Sequence, residues 1–327
     1  MLLKLIFIIV GIALVIWGAD RLTEGASSLA RGMRVPEIII GLTIVAAGTS
    51  APELFVSMVA AFKGTADLAV GNVIGSNIFN TMLIVGCSAL VAPMVVAKST
   101  VKKDIPFAVI AAMLLFMLCF DDMDSPHLWG NEISRSDGFI LLTGFLAFMI
   151  YTFNAAKKEG LMPTPEELDE NSELPKDYSK LWRNLSLIVL GLACLIIGSN
   201  LFVDAASYVA YRYGVRQSVV GLTIVAGGTS MPELATSVVA AYKGRSAIAI
   251  GNVIGSNVFN ILMILGLTAV VHPLRIMGIT IIDLMMMLVS VGLVWLFAFT
   301  KYSVSRREGF VLVAGFLAYM AWLLYLL

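Results

Sequence analysis

Long apolar runs separated by brief polar connectors dominate this chain. Runs long enough to cross a bilayer as helices, about 20 residues each, fall near 3–22, 37–62, 68–91, 105–121 and 137–154, and again near 184–204, 217–242, 247–271, 279–299 and 308–326. This pattern predicts an all-α polytopic membrane protein of ten transmembrane helices in two sets of five. The one long polar connector, residues 155–182, is rich in Pro, Glu and Asp and reads as a flexible linker. It is too short to fold on its own. The expected division is a first repeat at 1–154, a linker at 155–182 and a second repeat at 183–327.

The polar positions inside these runs occur twice. Residues 41–64 (GLTIVAAGTSAPELFVSMVAAFKG) and 221–244 (GLTIVAGGTSMPELATSVVAAYKG) share 18 of 24 positions, and GNVIGSNIFN at 71–80 and GNVIGSNVFN at 251–260 share 9 of 10. Both pairs are offset by 180 residues, whereas the fifth runs (DGFILLTGFLAFM at 137–149, EGFVLVAGFLAYM at 308–320) are offset by 171, so the first half holds nine extra residues near 121–132. An odd number of spans per copy predicts two inverted five-helix repeats. With the N-terminus outside, the inner connectors hold 16 Lys and Arg and the outer side 6, so the positive-inside rule places both termini outside. The first run lacks an A-x-A-like cleavage site and recurs deep in the chain, Gly11 and Gly18 as Gly191 and Gly198, so it reads as a permanent helix.

Composition agrees and narrows the classes. The chain is 59% hydrophobic and 13% charged, against roughly 25% charged in soluble domains. A formal net charge of zero argues against a nucleic-acid partner. Cys87, Cys119 and Cys194 have neither the spacing nor the parity of a disulfide framework. No GxxxxGK[ST] loop is present, which argues against ATP, and no His–Glu metal motif or Ser–Lys pair stands in the spans, which argues against an enzyme. No cofactor is expected.

The chemistry concentrates in the duplicated segments. Pro52, in Gly48-Thr49-Ser50-Ala51-Pro52-Glu53, removes a donor and disfavours helix at the preceding residue. This predicts broken helices 2 and 7, with carbonyls freed near Ala46 and Ala47. Ser50-x-x-Glu53 also fits a capping box. A cap contributes about 1 kcal/mol, however, and a mid-membrane carboxylate costs about 2.5–3.5 kcal/mol, so a ligand role is the stronger reading for Glu53 and Glu233. On the next helices Asn72, Ser76 and Asn80, and Asn252, Ser256 and Asn260, recur every four residues and share one face. Gly71, Gly75, Gly251 and Gly255 read as packing residues. Ser76, Asn80, Ser256 and Asn260 read as ligands, while Asn72 and Asn252 fit either role. Two carboxylates, amide oxygens, hydroxyls and freed carbonyls form an all-oxygen set suited to hard cations, Ca²⁺ first. Duplicated, interrupted apolar segments are themselves a pointer to the central site of a secondary transporter.

GTSAPE with GSNIFN, and GTSMPE with GSNVFN, resemble the paired α-repeats of the cation/Ca²⁺ antiporter superfamily, in its sodium/calcium exchanger branch, over nearly the whole chain. The resemblance implies antiport of Na⁺ and Ca²⁺ by alternating access, with the two ions as competing substrates. It implies Ca²⁺ on Glu53, Glu233 and the Thr49 and Thr229 carbonyls. It implies Na⁺ on Ser50, Ser76, Ser230, Ser256, the same glutamates and the Ala46 and Ala226 carbonyls, with Asn80 and Asn260 in the middle. Potassium-dependent members carry Asp rather than Asn near the second repeat's polar stripe, and the Asn in both repeats here leans against potassium dependence; a proton- or potassium-coupled Ca²⁺ exchanger is the alternative, and a passive cation channel a further one. Without a large regulatory loop the chain is similar to prokaryotic members, implying a plasma (inner) membrane. Asp20, Glu24, Asn200 and Asp204 on the first helix of each half read as solvated helix-end groups. So do the acidic residues Asp121, Asp122, Asp124, Glu132 and Asp137.

Overall fold

The computed structural model describes residues 1–33, 35–119, 132–158, 178–214, 226–276 and 279–326. The acidic residues at 121–124, most of the linker and the start of the predicted seventh helix lie outside these. Helix α1 spans Leu2–Gly32, α2 Glu37–Thr49, α3 Ala51–Phe62. Helix α4 runs through Ala66–Ile78, a π-helical stretch Phe79–Ile84 and Val85–Val91. Helix α5 is Ile105–Leu118 and α6 Arg135–Lys158. In the second half α7 is Tyr178–Arg212, α8 Ala226–Thr229, α9 Met231–Tyr242, α10 Ser246–Val271, α11 Ile281–Lys301 and α12 Arg306–Leu326. Among the described residues, seven helices are long and apolar enough to cross a membrane, and α2 with α3 passes the same test as a pair bent by 45°. Ile9, Met117, Val189 and Phe310 stand exposed on outer faces, as expected where the solvent is lipid.

The helices meet through glycines. Helix α1 lies along α7, and a Cβ added at Gly11 would sit 2.8 Å from the Gly198 carbonyl, one at Gly18 2.8 Å from that of Gly191. The relation is reciprocal, since a Cβ at Gly191 would meet Leu22 N at 2.7 Å. Such contacts let apolar helices gain dispersion where no hydrophobic drive exists between them. The same device joins α2 to α10: Cβ atoms at Gly251 and Gly255 would fall 2.8 Å from Ile38 O and 2.5 Å from Leu42 O. The packing role expected of these two glycines is therefore met, and it brings the break after Thr49 against the Asn252–Asn260 face.

Short antiparallel strands tie the halves together. β1 (Met94–Val95) pairs with β4 (Ser303–Val304), and β2 (Glu132–Ile133) with β3 (Leu274–Arg275). Glu132 is ion-paired with Arg275 at 3.2 Å. Asp20, expected to be simply solvated, pairs with Lys243 at 2.5 Å, and Glu37 pairs with Arg245 at 3.1 Å. Both pairs link the α9–α10 turn to the first half.

Gly191→Val should lower the detergent unfolding midpoint by an amount equivalent to about 1–3 kcal/mol of overpacking. Gly144→Ala, whose Cβ would find only Leu262 at an ordinary 3.5 Å, should leave the midpoint in place. Thermal unfolding followed by size-exclusion recovery checks both.

Candidate cation site

Each broken helix is interrupted at a single serine. Ser50 (φ −82°, ψ 7°) separates α2 from α3, and Ser230 (φ −89°, ψ 9°) separates α8 from α9. Pro52 and Pro232 have no N–H, so the carbonyls of Gly48 and Gly228 lose their usual donors. The interruption is narrow. Ser50 N–H still donates to the Ala46 carbonyl at 3.0 Å, and the Thr49 hydroxyl adds a second donor there at 3.3 Å. The break therefore does not free Ala46 as the sequence led us to expect; a 45° bend is too shallow to open the ladder four residues upstream. Ala226 opens α8 and Thr229 closes it.

The serines at the breaks do not cap their helices; neither makes a side-chain cap hydrogen bond. A full capping box does occur at Thr280 and Asp283, so the capping reading of Ser50-x-x-Glu53 is set aside by geometry. Ser50 Oγ instead donates to Glu233 Oε1 at 2.9 Å, and Ser230 Oγ donates to Glu53 Oε1 at 2.9 Å. Each acid is thus held by the serine of the other half. Both residues are 1% exposed, and the crossed serine bonds bring the two acids to one centre. Their second oxygens, Glu53 Oε2 and Glu233 Oε2, are buried with no hydrogen-bond partner among the described residues. An acceptor left so in a dry interior costs about 1–3 kcal/mol, more when charged, and a cation between the two acids would remove that cost.

The adjacent faces complete the cluster. Ser76 Oγ lies 3.2 Å from Ser230 Oγ. Ser256, Asn80 and Asn260 are buried, and Ser256 Oγ, Asn80 Oδ1 and both polar atoms of Asn260 have no partner among the described residues. Asn72 and Asn252 brace the site. Asn72 Nδ2 donates to the Glu53 carbonyl (3.3 Å) and Ser57 Oγ (3.1 Å), and Asn252 Nδ2 donates to the Glu233 carbonyl (3.4 Å) and Ser237 Oγ (2.9 Å). Asn252 Oδ1 accepts from the Thr49 hydroxyl at 3.1 Å, which joins the two halves again.

The sequence reading missed Asn77 and Asn257, buried one position past the serines. Asn80 Nδ2 donates to Asn257 Oδ1 at 3.1 Å. The signal was present in GSNIFN and GSNVFN but lay off the four-residue stripe. The two halves also differ in exposure: Gly75 is exposed and Asn72 half-buried, whereas Gly255 and Asn252 are buried. Among the described residues no three His, Cys, Asp or Glu come together. The donors are two carboxylates with hydroxyl and amide oxygens, a set for hard cations such as Ca²⁺.

Fold and site define a multi-pass membrane protein with a buried acidic centre shared between two halves. The family model for the sodium/calcium exchanger protein matches residues 3–154 and 184–325, and the chain belongs to that family. Inner membrane protein YrbG of Escherichia coli is 35% identical over 335 residues, covering 100% of this chain and 98% of its own. Sodium/calcium exchanger MaX1 of Methanosarcina acetivorans is 31% identical, with 98% of each chain covered. Among solved structures, the sodium-calcium exchanger NCX_Mj soaked with 10 mM Na⁺ and zero Ca²⁺ matches with a TM-score of 0.84 at 28% identity over 98% of each chain.

Asn252→Leu, which strips donors from Ser237 and the Glu233 carbonyl, should cost about 1–3 kcal/mol of stability. Ser186→Ala, whose hydroxyl bonds an exposed carbonyl, should cost little. Unfolding midpoints of the two purified variants give the comparison.

Proposed function

We propose that this chain exchanges Na⁺ for Ca²⁺ by alternating access, both ions occupying one all-oxygen centre midway through the bilayer. The observation that carries the reading is the crossed pair of acids, each with one oxygen fixed by the opposite half and one oxygen unpartnered. Two carboxylates balance one Ca²⁺ or two Na⁺, so loading either substrate removes the same electrostatic cost and the ions displace one another. A third Na⁺ would leave the loaded site positive, and transport would then respond to voltage by about 2.3 kcal/mol per charge per 100 mV.

In this reading Ca²⁺ is held by Glu53, Glu233 and the carbonyls of Thr49 and Thr229. Na⁺ is held by Ser50, Ser76, Ser230, Ser256, the glutamates and the carbonyls of Ala46 and Ala226, with Asn80 and Asn260 in the middle. The Ala46 carbonyl keeps its bond from the Ser50 N–H and offers its second lone pair when the Thr49 hydroxyl proton turns wholly to Asn252 Oδ1. The ten spans form two inverted repeats, 1–154 and 183–327, around a linker at 155–182 facing the cytoplasm. Both termini are outside, and the membrane is the inner (plasma) membrane. The duplication, the match of the family model to each half and the positive-inside count support this arrangement.

Proteoliposomes loaded with Na⁺ and diluted into Na⁺-free buffer should accumulate Ca²⁺, and the uptake should vanish when internal K⁺ replaces Na⁺. Glu53→Gln and Glu233→Gln should each lower the rate by more than about 100-fold, as expected when a charged ligand is lost, with insertion unchanged. Uptake driven by a proton gradient alone would overturn the sodium coupling. Full transport by either glutamine variant would remove that glutamate from the site.

A further inference from the structure

Asn77 and Asn257 have no place in the ligand set above, yet they are only 1% and 3% exposed. A primary amide carries donors on one atom and an acceptor on the other. Because Asn80 Nδ2 is committed to Asn257 Oδ1 at 3.1 Å, Asn80 Oδ1 must point the other way. That oxygen is buried and without a partner among the described residues. An untethered Asn80 would also present its NH₂ group to the centre, and an NH₂ group repels a cation.

We propose that Asn257 is a positioning residue for exchange: by accepting from Asn80 Nδ2 across the boundary between the halves, it holds the Asn80 carbonyl oxygen toward the Ca²⁺ and Na⁺ cluster. The inference rests on the exchange reading of this site and adds a residue from outside the ligands.

The equivalent interaction in the other half is not made. All four polar side-chain atoms of Asn77 and Asn260 lack partners among the described residues, although the two motifs differ at a single position. One amide is oriented and its twin is loose among the described residues. When two equivalent halves exchange conformations, the Asn260–Asn77 bond forms as the Asn80–Asn257 bond opens. Asn257 then tunes cation binding from one side of the membrane and Asn77 from the other.

The test is Na⁺-driven Ca²⁺ transport in proteoliposomes by Asn257→Leu, Asn80→Ala and the double variant. Asn257→Leu should raise the half-saturating external Ca²⁺ concentration about ten-fold, with the maximal rate within about two-fold of the original. In the Asn80→Ala background the same substitution should add nothing, because a residue that acts only through another shows no effect once that other is gone. Asn77→Leu should raise half-saturation from the opposite side instead. Asn257→Ala serves the same comparison if the leucine variant does not insert. An unchanged half-saturating concentration, or effects that multiply in the double variant, would overturn the positioning role. Failure of the unsubstituted protein to exchange the two ions would instead overturn the exchange reading itself.

Discussion

Two carboxylates buried in a membrane protein, away from water, are the constraint around which this molecule is organised. Each could be neutralised by a lysine or arginine, but among the described residues neither acid is ion-paired. The structure gives each acid a hydroxyl from the opposite half, Ser50 for Glu233 and Ser230 for Glu53, and leaves the second oxygen without a hydrogen-bond partner among the described residues. That choice leaves two acids and, among the described residues, no positive partner at one buried centre, which is the basis of the proposed cation site. The crossing also means that neither half can make the site alone.

Much of the surrounding sequence serves this arrangement. The serines can reach across only because they stand at helix breaks, and the breaks follow from Pro52 and Pro232. The backbone carbonyls of the two acids accept from Asn72 and Asn252, whose amides are in turn fixed on Ser57 and Ser237. Helix α2 comes close enough to α10 for the Thr49–Asn252 bond because Gly251 and Gly255 admit its backbone. The π-helical stretches Phe79–Ile84 and Phe259–Leu265 begin just before Asn80 and Asn260, where the widened turn re-aims the residues that follow. Such bulges recur at functional sites for that reason.

The parts legible from sequence were those with a strong local cause. A carboxylate in an apolar run, a proline inside a helix, and a second copy of both made the broken helices and the glutamates readable. The family followed from the same motifs. Other features depended on how helices meet. A hydrophobic period cannot separate a π turn from an α turn over six or seven residues, so the bulges were invisible. Asn77 and Asn257 lie one residue off the Asn72–Ser76–Asn80 and Asn252–Ser256–Asn260 stripes, and only the approach of the two halves gives Asn257 its partner. Asn72 and Asn252, readable as either ligands or packing, proved to be braces for the same geometric reason. The capping box at Ser50 was plausible in one dimension and fails in three, because a buried acid on the other half competes for the hydroxyl.

The central claim is that Glu53 and Glu233 hold one cation jointly. Anomalous diffraction from crystals soaked in Sr²⁺, with and without competing Na⁺, tests it most directly. The account predicts one principal peak between the two carboxylates, at about the 2.3–2.6 Å oxygen distances typical of Ca²⁺ or slightly longer, weakening as Na⁺ is raised. A principal peak away from both acids, or one that touches a single glutamate and ignores Na⁺, would contradict it.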